Sequence, residues 1–130
     1  MKLKIRVISD PGNLDKERVS FQVLTPIDIG NYALLINKFS DQPTTDIMGG
    51  YWFPFGDISI GDKVVLYTKK GVDKHREAKD GGSTYFYYWG LEKSVWGDAT
   101  VAALLLEAPK WEIYTEDDLA PEADDSTIAQ

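Results

Sequence analysis

Two stretches rich in aromatic and β-branched residues constrain the fold of this chain most strongly. The first covers residues 49–68 and the second covers residues 84–102. Such side chains suit the pleated, half-buried surface of a β-sheet. Glycines punctuate both stretches, and an isolated proline breaks the first. We therefore predict that the two stretches form the centre of an antiparallel β-sandwich.

A period of two predicts further strands on either side of these stretches. Apolar side chains alternate with bases over residues 3–7, and with the uncharged polar residues Ser20 and Gln22 over residues 19–23. Turn-forming residues 10–13 predict that these two strands pair as a hairpin. The further predicted strands are 32–36, 44–48, 51–55, 64–68, 85–89, 100–107 and 111–115. Residues 99–108 also fit a helix, because alanine and leucine favour one, and this alternative stays open.

These elements predict an all-β fold, an immunoglobulin-like antiparallel sandwich of about seven to nine short strands. Residues 69–83 are expected to form one long polar loop between two of the strands. The side chains expected to be largely buried are Leu34, Ile36, Phe53, Val65, Tyr67, Phe86 and Leu104.

The charge is distributed unevenly along the 130 residues, whose formal net charge is −7. Residues 116–125 hold six acids and no base, whereas the rest of the chain has 14 bases against 15 acids. An acidic block of this kind usually stays solvated. We therefore predict a sandwich domain over residues 1–115 and a flexible acidic tail over residues 116–130 that contributes little to the fold.

The absence of cysteine excludes disulfides, thiolate metal sites and cysteine nucleophiles. The first residues show no apolar segment typical of a signal peptide. The longest apolar run, residues 99–106, is far shorter than the roughly 20 residues that a membrane span needs. We expect a soluble, cytoplasmic protein that carries no cofactor and no metal.

An ordered series of motifs resembles a known family. It begins with Leu34-Leu35-Ile36-Asn37 and Tyr51-Trp52-Phe53-Pro54-Phe55, and continues with residues 58–68, Tyr88-Trp89-Gly90 and Val95-Trp96-Gly97-Asp98-Ala99. Over residues 31–106 the chain resembles the lamin tail domain, an immunoglobulin-like β-sandwich found in nuclear lamins and many bacterial proteins. The resemblance implies a binding role, towards proteins or nucleic acids, rather than a reaction.

No catalytic constellation is legible in the sequence. His75 is the only histidine, and it stands in a basic segment without a recognisable orienting acid. Asp57, Asp62 and Asp98 each lie beside a glycine, where aspartate usually serves turn geometry. Nucleotide-binding and hydrolase motifs are absent as well. We therefore expect a protein that is not an enzyme.

Aromatic rings fall on both faces of the strands at residues 51–55 and 85–89. A two-layer sandwich buries only one face of each sheet, so the other rings are expected at the surface, where such patches mark interfaces. The sequence thus predicts a non-enzymatic interaction module that binds a protein partner or a second copy of itself. The predicted contact residues are Tyr51, Trp52, Tyr85, Tyr87, Trp89 and Trp96.

Two other binding functions fit the same residues. Tryptophan and tyrosine could serve as stacking platforms in a carbohydrate-binding module. Nucleic acid is a less favoured ligand, because the chain as a whole is acidic. Its phosphates would contact the bases of the 69–79 segment, namely Lys69, Lys70, Lys74, Arg76 and Lys79.

Overall fold

The computed structural model describes residues 1–79 and 81–119, and these residues form an almost entirely β structure. The strands are β1 (Leu3–Ser9), β2 (Arg18–Val23), β3 (Ile27–Asp28), β4 (Tyr32–Ser40), β5 (Gln42–Trp52), β6 (Asp57–Ile58), β7 (Lys63–Tyr67), β8 (Lys74–Glu77), β9 (Ser83–Tyr88) and β10 (Val101–Glu107). Two short 3-10 turns, Ile29–Asn31 and Glu116–Asp118, are the helical elements of this part of the chain. The predicted all-β class is confirmed.

The strands form two principal sheets and one small one. The five-stranded sheet has the order β1-β2-β7-β9-β8, in which β7 and β9 run parallel and the other neighbours run antiparallel. The three-stranded sheet has the order β10-β4-β5 and is antiparallel throughout. The short strands β3 and β6 pair with each other. The predicted hairpin of β1 and β2 is confirmed.

One hydrophobic core lies between the two principal sheets. Phe53, directly after β5, meets Phe21 of β2 with ring centroids 5.5 Å apart, and Tyr87 of β9 at 5.2 Å. Both contacts are edge-to-face, the geometry that aromatic pairs favour. Phe53 therefore joins the two layers of the sandwich, and its predicted burial, like that of Leu34 and Ile36, is confirmed.

The predicted inner faces of β7, β9 and β10 are wrong. The side chains that face the core are Val64, Leu66, Tyr85, Tyr87, Ala103 and Leu105. The predicted core residues on these strands are only half-buried and lie on the outer faces: Val65, Tyr67, Phe86 and Leu104. Both faces of these strands carry large apolar side chains. The alternation of side chains therefore shows correctly which residues share a face of each strand, but it does not show which of the two faces is buried.

Several predicted segments have different boundaries or structures. The predicted strands 44–48 and 51–55 belong to one strand, β5, which ends at Trp52. The long polar loop contains β8, a short charged strand that pairs with β9 at the sheet edge. Charged side chains are common on edge strands, which is why the segment looked like a loop. Residues 111–115 are not a strand, although Trp111 and Ile113 favour one, because they do not pair with a sheet. Residues 101–107 pair with β4, so the helical alternative is wrong.

The acidic tail predicted over residues 116–130 lies mostly outside the described residues, of which Leu119 is the last. Within the described ranges, no helix is long and apolar enough to cross a membrane.

A buried carboxylate lies at one end of the sandwich. Glu17 is 0% exposed, and its four hydrogen-bond donors are all uncharged. One carboxylate oxygen accepts from the backbone N–H of Gly12 at 2.8 Å and of Trp96 at 3.0 Å. The other accepts from the N–H of Val95 at 2.8 Å and from the hydroxyl of Thr68 at 2.6 Å. Glu17 therefore connects three segments that are distant in sequence.

These contacts decide the ionisation state of Glu17. Burial raises the pKa of its carboxyl, but the four hydrogen bonds to the ionised form lower the pKa by more. The net pKa lies below the ordinary value of 4.5, so the group is a carboxylate at neutral pH. The ionised form therefore stabilises the fold.

The substitution Glu17→Gln tests this role. An amide NH₂ in place of one oxygen would face backbone donors, leaving buried N–H groups unpaired at a cost of about 1–3 kcal/mol. We expect that loss in urea unfolding at pH 7, whereas the exposed control Glu92→Gln should change stability by less than about 0.5 kcal/mol. Equal effects of the two substitutions would contradict the role of Glu17.

The comparison of wild type with Glu17→Gln also gives a prediction about pH. The pKa of Glu17 is lower in the folded than in the unfolded chain, so its stabilisation is present above pH 4.5 and is lost as the pH falls through the folded pKa. The difference in free energy of unfolding between wild type and Glu17→Gln should therefore shrink on acidification. A difference that stays constant from neutral to acidic pH would show that ionisation plays no part.

Candidate functional site

Of the six predicted contact aromatics, one is largely exposed. Trp52 is 52% exposed, whereas the other five lie in the core or pack against it. The buried pair is Tyr87 and Trp96, and the half-buried residues are Tyr51, Tyr85 and Trp89. The rings that the sequence suggested as one surface are therefore divided between the interior and the exterior. Their role in partner binding stays a prediction.

The inward-facing rings contact one another between the two sheets. Tyr51 meets Phe53 at 5.1 Å and Trp89 at 5.8 Å between ring centroids. Burial, and to a lesser extent the nearby carboxylate of Asp73, raises the pKa of Tyr87 to about 12. The hydroxyl of Tyr87 therefore stays neutral, as a residue of the core should.

Three other aromatic side chains meet at the surface. Trp52 ends β5, Phe55 follows it in the next loop, and Trp111 comes from the segment after β10. Phe55 is 61% and Trp111 52% exposed. The ring centroids lie 5.7 Å apart for Trp52 and Phe55, 5.3 Å for Trp52 and Trp111, and 6.0 Å for Phe55 and Trp111. We call these three residues the aromatic cluster.

A compact turn fixes the cluster in place. The indole N–H of Trp52 donates a hydrogen bond of 2.6 Å to the carbonyl oxygen of Gly30. The ring of Phe55 occupies the space that a Cβ at Gly30 would need, so this position requires glycine. One carboxylate oxygen of Asp28 accepts from the backbone N–H of Gly30 at 2.9 Å and of Gly56 at 3.0 Å. The exposed rings are therefore held by specific contacts.

The aromatic cluster continues into the outer face of the three-stranded sheet. Register places Ala33 between Trp52 and Leu106, and Leu35 between Gly50 and Leu104. Adjacent residues on these strands point into the core, so these point away from it. We call this surface the apolar sheet face; its residues are Ala33, Leu35, Gly50, Trp52, Ala102, Leu104 and Leu106. None of them is charged, and Leu106 is 43% exposed. Asn37, the partner of Ala102 in the next row, is polar but buried.

The bases of the 69–79 segment do not form a single cluster. Lys70 lies 3.4 Å from Glu92, an ion pair between exposed side chains that adds little stability. Lys74 and Arg76 belong to β8 and lie over the ring of Phe86, while Lys69 lies over Tyr67. Lys79 is exposed just beyond β8. Four of these bases thus border the outer face of the five-stranded sheet or its edge.

The described residues provide few groups for reaction chemistry. The ring of His75 stacks on that of Tyr85 at 5.3 Å, with 18° between the ring planes, which is a packing contact at the sheet edge. In residues 1–79 and 81–119, no group of three or more His, Cys, Asp or Glu side chains could hold a metal ion.

Comparisons with protein-family models, curated proteins and solved structures give no match for this chain. The resemblance to the lamin tail domain therefore stays a prediction.

Proposed function

We propose that this chain is a non-enzymatic interaction module that binds a second copy of itself through the apolar sheet face and the aromatic cluster. The observation that carries the proposal is an outer sheet face without a single charged side chain, bordered by three exposed aromatic rings.

A solvated sheet face has a different composition. Antiparallel sheets that cover a core on one side and face water on the other alternate apolar with polar residues along each strand. β4 and β10 are instead apolar on both sides over their paired central residues. Contiguous apolar surface of this kind marks an interaction site, and tryptophan is prominent in interfaces. This composition supports a partner that covers the face.

The composition of the apolar sheet face allows a second copy as that partner. The net charge of −7 opposes self-association, but six of the acids lie in residues 116–125, and the rest of the chain has 14 bases against 15 acids, a net charge of −1. In a two-fold interface the same patch occurs on both sides, so any charged side chain on the axis would face its own kind. The apolar sheet face avoids this repulsion. Two such faces could pack about 10 Å apart, like the layers of a sandwich.

The ring geometry supports a protein partner over a carbohydrate. Stacking of sugars requires open, coplanar ring faces. The plane of Trp52 is instead tilted by 81° from that of Phe55 and by 76° from that of Trp111. Trp52 packs edge to face against both other rings, while Phe55 and Trp111 stack on each other with 23° between their planes, so the three rings do not present a common flat platform.

The proposal is tested by measuring the mass in solution over a concentration series. We expect a dimer, and we expect Leu106→Glu and Trp111→Ala each to weaken it by about thirtyfold, the effect of losing an interface anchor worth about 2 kcal/mol. Both positions are exposed in the single chain, so both variants should fold.

The matched control is Ile60→Glu, which introduces the same charge at an exposed apolar residue away from this face. It should leave the mass unchanged, and circular dichroism should show the same spectrum for every variant. A wild-type chain that stays monomeric over the whole series would overturn self-association. A dimer that neither face variant weakens would place the interface elsewhere.

A further inference from the structure

The outer face of the five-stranded sheet combines cations with aromatic rings. The strand register places paired residues of neighbouring strands side by side, in rows that cross the sheet. The outward residues of β2, β7, β9 and β8 are Arg18, Ser20, Gln22, Lys63, Val65, Tyr67, Thr84, Phe86, Tyr88, Lys74 and Arg76. None of them is acidic. A chain whose overall charge is negative therefore collects bases on one sheet face.

The rings occupy two neighbouring positions on this face. Tyr67 and Tyr88 are paired across the parallel strands, and their rings stack with centroids 5.3 Å apart and 11° between their planes. Phe86 lies on the same face two residues before Tyr88, which is about 7 Å along a strand. All three residues are half-buried. The ring of Tyr88 stacks on Tyr67 and leaves no room for a Cβ at Gly71, so it supports the ring of Tyr67 rather than offering a stacking surface of its own.

The cations lie close to these rings. The ammonium of Lys74 is 5.8 Å and the guanidinium of Arg76 5.4 Å from the centroid of Phe86, while the ammonium of Lys69 is 5.2 Å from that of Tyr67. Such cation–π contacts hold positive charge beside an aromatic surface. A shallow cavity of about 340 Å³ opens between them, and its walls are formed by Tyr67, Lys74, Arg76, Phe86 and Tyr88.

Two acids close to this face have defined partners. Asp10 forms an ion pair of 2.9 Å with Arg18, which neutralises that corner of the sheet. One carboxylate oxygen of Asp73 accepts a hydrogen bond of 3.1 Å from the backbone N–H of Tyr88 and keeps its charge. The bases that lie over the rings are Lys69, Lys74 and Arg76, and they outnumber this acid.

We propose that this face binds a single-stranded nucleic acid, with one base stacked on Phe86 and a second on the side of the Tyr67 ring that faces away from Tyr88. Its phosphates contact Lys63, Lys74 and Arg76. An acidic peptide would satisfy the cations but leave the rings unused, and paired bases inside a duplex could not reach them. The combination of rings and cations is what selects unpaired bases. This site is independent of the self-association proposed above, which uses the opposite sheet.

The test is fluorescence anisotropy of a labelled oligothymidylate of about ten nucleotides, titrated with the full chain at low salt. We expect binding that weakens as salt is added, because phosphate contacts release counterions. Phe86→Leu removes a stacking platform, and the double variant Lys74→Gln/Arg76→Gln removes two phosphate contacts. Each should weaken binding at least about fivefold.

The control is the double variant Lys93→Gln/Lys110→Gln, which loses the same charge at exposed positions outside this face. It should leave the affinity nearly unchanged. The absence of binding at low salt, or an equal loss in the control, would overturn the proposal. Labelled polyglutamate binding as tightly as the oligonucleotide would also overturn it and indicate an acidic peptide. If Phe86→Leu does not fold, the exposed Lys74→Gln/Arg76→Gln variant decides the outcome.

Discussion

The carboxylate of Glu17 is buried without a basic partner, and its hydrogen bonds hold one end of this sandwich together. Glu17 accepts hydrogen bonds from the first turn, from Thr68 after β7 and from Val95 and Trp96, which lie between β9 and β10. That last connection carries the chain from the five-stranded to the three-stranded sheet, so Glu17 fixes the crossover and lets Trp96 enter the core. Because a buried charge is costly unless its hydrogen bonds are complete, the three segments must come together for the fold to be stable.

The two outer faces of the sandwich differ in ways that folding does not require. A core between two sheets needs apolar residues only on the inner faces. One outer face is nevertheless apolar and meets the aromatic cluster at Trp52, while the other pairs half-buried rings with bases such as Lys74. The first composition suits a dry contact between like surfaces and the second suits a flat, anionic ligand. The two proposed functions follow from this division and do not compete for the same surface.

The period of two and the turn residues were sufficient to predict the all-β class and the β1–β2 hairpin, because both depend on local sequence. The inner faces of β7 and β9 could not be predicted, since large apolar side chains stand on both sides. Of the predicted contact aromatics only Trp52 is mostly exposed, and its neighbour Trp111 comes from a segment 59 positions later. The role of Glu17 could not be predicted, because its partners Val95 and Trp96 are 78 and 79 positions away. A signal for the positions of Phe55 and Trp111 was present in the sequence. Pro54 follows β5 and Pro109 follows β10, and a proline there indicates that the residues after it leave the strand.

The central claim, that the apolar sheet face is covered by a second copy, can be tested at a single residue. The chain has no cysteine, so Ala33→Cys places the only thiol on this face, and Ser20→Cys places one on the opposite outer face as a control. The measurement is the rate of thiol alkylation as a function of protein concentration. We expect the rate for Ala33→Cys to fall as the protein is concentrated, while the rate for Ser20→Cys stays constant. A rate for Ala33→Cys that does not depend on concentration would contradict the central claim.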